Sequence, residues 1–168
     1  MRKTVAAPGI VLVVVLLLPL SNAGAIDLHG FWDDRCQECH GHAAAFARTH
    51  LKVDAGKLTG SHPDRDLRTF LGQHEMGPEN AGQVYEMLLA QAQAKPLFQQ
   101  KCSSCHGTAA DFARKSLALQ EGVLVGNKKR LPVSEFLKRH GKVAAADIPV
   151  LVESLMRVLT EVGGPRPD

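Results

Sequence analysis

The sequence predicts an all-α protein built from two tandem helical units, and three observations carry that prediction. One stretch, Arg35 to Arg48 (RCQECHGHAAAFAR), returns as Lys101 to Arg114 (KCSSCHGTAADFAR). Apolar residues recur at helical intervals, most clearly at Ile148, Leu151, Val152, Leu155 and Leu159. No stretch carries a convincing apolar/polar alternation of the kind a half-buried strand needs.

The first 25 residues read as an export signal and not as part of the fold. Arg2 and Lys3 precede an apolar run, Ile10 to Leu20, that is too short to span a bilayer as a helix. Ala23-Gly24-Ala25 supplies the small residues of a cleavage site, with Ser21-Asn22-Ala23 as a second one. Cleavage after Ala25 predicts a periplasmic protein with no membrane insertion and no lipidated cysteine near the cut. The chain carries a formal charge of +3, and loss of Arg2 and Lys3 leaves +1. A near-neutral chain lacks the electrostatic footprint of a nucleic-acid binder. The short run Lys128-Lys129-Arg130 reads as a solvated loop, with a docking patch for an acidic partner as the functional alternative.

A single shift that lays Cys36 on Cys102 also superposes the residues around and beyond it. Cys39, His40 and Gly41 meet Cys105, His106 and Gly107; Phe46 and Arg48 meet Phe112 and Arg114. Phe70, Leu71 and His74 meet Phe136, Leu137 and His140, and Val84 and Leu89 meet Val150 and Leu155. The units run from 26 to 95 and from 96 to 168, with Pro96 suited to open a helix. Each has an apolar pair before the cysteines (Phe31-Trp32, Leu97-Phe98) and a helix after them (Ala43 to Leu51 in the first). In the first unit a loop punctuated by Gly56 and Gly60 follows, then helices over Asp64 to His74 and Glu79 to Gln93. The counterpart of the last is Ala145 to Leu159. Units of roughly 65 residues with few aromatics are marginal by burial alone and call for a staple.

The four cysteines are all spent on this repeat. Two disulfides, a thioredoxin-like redox pair, and one zinc held by all four thiols are the competing uses. The redox fold needs a strand–helix alternation that is missing. A zinc site leaves the histidine after each pair unexplained. Cys-x-x-Cys-His is the attachment pattern of c-type haem, and it uses every residue. Cysteines three apart share one face of a helical turn, so both thiols meet the same macrocycle edge, and the next histidine reaches the iron. Cys36, Cys39 and His40 would hold one haem, and Cys102, Cys105 and His106 a second.

On these two pentads the chain resembles a dihaem cytochrome c of the bacterial periplasm, over residues 26–168. The resemblance implies two cytochrome-c-like units wrapped around covalently attached haems, haem insertion after export, and electron exchange with periplasmic redox partner proteins.

The second axial ligand is read from the repeat. His74 and His140 follow their attachment histidines by the same interval, each after Phe-Leu. Phe70 and Phe136 stand four residues before them, on the same helical face. His40/His74 and His106/His140 are therefore the expected axial pairs. Met76, in the loop-like HEMGPEN, and His62 are the rivals in the first unit; Met156 reads as a core residue. His29, His42, His50 and His62 have no histidine counterparts and are expected to be exposed. Arg48 and Arg114 repeat, and either pair with haem propionates or lie on a solvated helix face.

The leading function is a soluble electron carrier, not an enzyme, with potentials below those of histidine–methionine cytochromes. The alternative is a dihaem enzyme or gas sensor in which one ligand is displaceable by peroxide, nitrite, CO or NO. The first unit is the place for it. A disulfide- or zinc-stapled binding module is the third class, and would be colourless.

Overall fold

The computed structural model describes residues 26–74 and 76–164; the predicted signal peptide lies outside them. The first half opens with α1 (Leu28–Arg35), whose start is capped by the Asp27 carboxylate accepting the Gly30 N–H at 2.8 Å. α2 (Gln37–His40), α3 (Ala43–His50), the strands β1 (Lys52–Asp54) and β2 (Lys57–Thr59), α4 (Leu67–Gln73) and the long α5 (Pro78–Gln93) follow. The second half repeats that order. It runs through α6 (Leu97–Lys101), α7 (Ser103–His106), α8 (Ala109–Ser116), β3 (Leu117–Gln120), β4 (Val123–Gly126) and α9 (Val133–Leu137). A 3-10 turn (Ala145–Asp147) leads into α10 (Ile148–Glu161).

The expectation of an all-α fold is overturned by the two hairpins. The fold is mixed α/β, mainly helical, with two separate two-stranded antiparallel sheets. Lys52 lies opposite Thr59 in one, and Leu117 opposite Gly126 in the other. Each hairpin turns on two successive residues with positive φ: Ala55 (45°) and Gly56 (77°), then Glu121 (49°) and Gly122 (73°). Two left-handed residues in a row make the tight turn whose twist matches paired strands. Strands of three or four residues are too short to display an alternation. Ala-Gly and Glu-Gly also lack the Asn or Asp that usually announces such a turn.

Each half has its own core. The first gathers Leu28, Trp32, Ala47, Val84, Met87 and Leu88; the second gathers Phe98, Ala113, Leu124, Leu151, Leu155 and Val158. Ala47 and Ala113, both 0% exposed, are small enough to let α3 and α8 pack closely against their neighbours. The hairpin of the first half is tied to α5 by the Leu58 N–H donating to the buried Tyr85 hydroxyl at 2.9 Å. Met76 is buried in the first core and Met156 is packed against the second.

The halves are joined by more than the chain. Arg114 donates through Nε and Nη2 to the Asp27 carboxylate at 2.7 and 2.9 Å, and Arg48 Nη2 donates to Gln99 Oε1 at 2.8 Å. His29, expected to be exposed, is 5% exposed, with Nε2 2.9 Å from Glu161 Oε2 near the other end of the described chain. Asp27 and Val162 also form a β-bridge there. Among the described residues no helix is long and apolar enough to cross a membrane.

Candidate functional site

The cysteine pairs sit on matching backbone. Cys36 (φ −121°, ψ −30°) and Cys102 (φ −125°, ψ −30°) each stand at the break between two helices, α1 from α2 and α6 from α7. His40 and His106 end the second helix of each pair. The glycine after each, Gly41 (φ 68°) or Gly107 (φ 71°), takes the left-handed conformation that closes a helix. Cys36 is buried and Cys39 and Cys105 are exposed. Burial pushes the half-buried Cys102 thiol above its ordinary pKa. In the first half the Trp32 indole N–H donates to the Gly41 carbonyl at 2.9 Å, pinning the turn that follows His40.

The histidines expected as axial partners lie side by side, edge to face, in both halves. The rings of His40 and His74 have centroids 6.1 Å apart with planes at 72°. Those of His106 and His140 are 5.9 Å apart at 64°. Two imidazoles sharing one metal ion, each through a bond of about 2 Å, have ring centres about 6 Å apart. The donor set and its spacing therefore fit an iron between each pair.

Aromatic rings hold both partners. Phe46 packs edge-on against His40 at 4.8 Å, and Phe112 against His106 at 4.8 Å. Phe70 stacks on His74 at 5.0 Å, and Phe136 on His140 at 4.6 Å. The expected Phe–His pairing is present, but both histidines lie just past their helices, α4 ending at Gln73 and α9 at Leu137. Phe70 and Phe136 remain 40% and 48% exposed.

A cleft of about 430 Å³ opens beside His40, walled by Cys39, Phe46, Leu51, Leu67 and Phe70, with His50, His62 and Arg65 at its polar side. That volume lies within the roughly 300–1,000 Å³ usual for cofactor sites. His62, a rival ligand, lines this cleft. No family model, curated protein or solved structure matches the chain.

Other sequence expectations are placed as follows. Arg48 and Arg114 each make a polar contact across the boundary between the halves, to Gln99 and Asp27, and Arg114 also donates to Asp111 on its own helix at 3.1 Å. Among the described residues no disulfide joins Cys39, Cys102 or Cys105, and no three His, Cys, Asp or Glu side chains converge on one point. A single zinc site made from both cysteine pairs thus has no assembled donor set. Sequence reasoning missed the edge-on role of Phe46 and Phe112, although both residues stand in the repeat and carried the signal. It also missed the Trp32–Gly41 bond, for which the second half, with Phe98 at the matching position, offers no repeat.

Proposed function

We propose that this protein is an exported electron carrier holding two covalent c-type haems. Cys36 and Cys39 would bind one and Cys102 and Cys105 the other, with His40/His74 and His106/His140 as the axial pairs. The observation that carries this reading is the recurrence, in both halves, of an imidazole pair with ring centres 6.1 and 5.9 Å apart, the separation of two rings that share one metal ion.

Cys36, Cys39, Cys102 and Cys105 would hold the two groups as thioethers, an addition of thiol across a vinyl group in which no atom is lost and no oxidant is needed. A bound haem supplies reversible one-electron chemistry. The chain's own task is to keep both axial positions filled and the rings oriented. Phe46 with Phe70 and Phe112 with Phe136 do this by packing on the histidines. Two imidazoles favour the ferric state more than a thioether does, so potentials below those of histidine–methionine centres follow. The partners are redox proteins of the periplasm.

The test is the absorption spectrum of protein exported by a host that attaches haem, recorded oxidised, reduced, and reduced under CO. Two covalent low-spin haems unmoved by CO support the carrier. A colourless protein refutes the haem reading.

A second reading, a dihaem enzyme or gas sensor, is favoured by one observation. The cleft beside His40 is also lined by His50, His62 and Arg65, groups able to bind or protonate a small ligand. A CO-shifted band confined to the first haem would select it.

A further inference from the structure

The boundary between the halves holds a second cleft, of about 330 Å³. His42, Ala44 and Arg48 line it from the first half, Ala109 and Ala110 from the second, and Lys95 from the junction. It is separate from the histidine pairs. Ser103 and Gly107, one helical turn apart, face this cleft, whereas Cys102, Cys105 and His106 form none of its wall.

The walls are rich in donors. None of the lining residues is acidic. Arg48 gives its one side-chain hydrogen bond to the neutral amide of Gln99, and neither Arg48 nor Lys95 forms an ion pair among the described residues. Acids stand behind the wall and not in it: Glu161 contacts the lining His29 at 2.9 Å and is paired with Arg157, and Asp111 is paired with Arg114. His42 Nδ1 accepts the Ala44 N–H at 3.3 Å, which leaves Nε2 to carry the proton of the neutral ring. Thr108 caps α8 by accepting the Asp111 N–H, so the N–H groups of Ala109 and Ala110 have no partner within the helix.

An independent feature points to a ligand. Gln91, on α5, is 7% exposed and lines this cleft, and its side-chain amide makes no hydrogen bond among the described residues. No sealed polar side-chain atom is left unsatisfied among those residues. The Gln91 amide is therefore open to the cleft and not walled off. A nearly buried residue whose amide has no protein partner but opens into a cleft is placed to hydrogen-bond whatever enters it.

We propose that this cleft binds a small oxyanion of the phosphate class, held by Arg48 and Lys95 and received by the Gln91 amide and the Ala109 and Ala110 N–H groups. A guanidinium and a helix start are the two standard receptors for such oxygens. Because the donors come from both halves, the anion acts as a clamp across the boundary.

The test titrates inorganic phosphate into the full exported protein, against sodium chloride of equal ionic strength. The expected result is saturable heat with phosphate alone, and shifts of the Ala109, Ala110 and Gln91 side-chain amide signals. Arg48→Gln and Lys95→Gln should each weaken binding about tenfold, the loss of one charge-assisted hydrogen bond, while Lys128→Gln in an exposed loop leaves it unchanged. Arg48→Gln also breaks the contact to Gln99, so the exposed Lys95 separates lost charge from altered folding. Glycerol 3-phosphate binding more tightly than phosphate would assign the rest of the cleft to an organic group. Heat that chloride reproduces, or binding untouched by both substitutions, overturns the proposal.

Discussion

Replacing His29 with Ala probes how the two ends of the fold are closed. His29 Nε2 and Glu161 Oε2 are 2.9 Å apart, and the residues are 5% and 8% exposed. The other carboxylate oxygen, Oε1, accepts from Arg157 Nη1 at 2.6 Å. His29→Ala therefore strips one oxygen of its partner and leaves the charge paired. An unsatisfied buried acceptor costs about 1–3 kcal/mol. The surviving Arg157 contact keeps the loss below the roughly 3–5 kcal/mol of a wholly orphaned buried charge. A net loss of about 2 kcal/mol is expected, lowering Tm by about 4–8 °C in a protein of this size. Urea unfolding followed by circular dichroism measures it. Glu161→Gln and the double variant complete a cycle with an expected coupling of about 1 kcal/mol. A loss under about 0.5 kcal/mol with additive single variants would refute the closure.

Other perturbations separate the roles of individual residues. If the chain holds the two haems proposed above, His140→Ala should leave both covalently attached but turn the second iron high-spin and open to CO; an unchanged low-spin spectrum would assign that ligand elsewhere. Tyr85→Phe removes the acceptor of the buried Leu58 N–H. It should cost about 1–2 kcal/mol and speed hydrogen exchange at Leu58, and unaltered exchange would mean the hairpin is held by other contacts. Asp27 is pushed up by burial, but the Arg114 guanidinium and the Gly30 N–H outweigh that and hold its pKa below the ordinary value. A depressed carboxylate stabilises the fold above its unfolded pKa and loses that contribution as pH falls through the folded one. Wild type should thus lose stability relative to Asp27→Asn as pH drops below about 4, modestly, because the pair is partly exposed. Parallel acid-unfolding curves would contradict the assignment.

The candidate site was readable because its information is local and written twice. Cys-x-x-Cys-His is five consecutive residues, and the repeat converted two isolated histidines into equivalent positions. In the two halves the paired rings lie 6.1 and 5.9 Å apart. The hairpins were hidden for the opposite reason. Their strands are shorter than a periodicity can reveal, and their turns rest on Ala55 and Glu121, residue types that seldom adopt positive φ. His29 was read as exposed because its partner, Glu161, lies at the far end of the chain, and no local pattern reports so distant a contact. Arg48 and Arg114 stood out as a repeated pair, yet repetition marks equivalence without naming the partner. The place of Gln91 in the cleft escaped notice because helical spacing cannot distinguish a packed side chain from one opening into a cleft.

The boundary contacts acquire a common logic when read through the repeat. The shift that lays Cys36 on Cys102 lays His29 on Lys95, and the same shift lays Lys95 on Glu161. Lys95 is where the first half passes covalently into the second. The His29–Glu161 contact joins the start of the first half to the end of the second, at positions equivalent to that junction. The arginines follow the same reciprocity. Arg48 on α3 reaches Gln99 on α6, and Arg114 on α8 reaches Asp27 at the cap of α1. Each half thus grips the opening helix of the other, so two marginal units close on one another without a continuous core. In the electron carrier proposed above, that closure would fix the relation of the two histidine pairs. It also puts the donor-lined cleft between the elements whose separation an anion would govern.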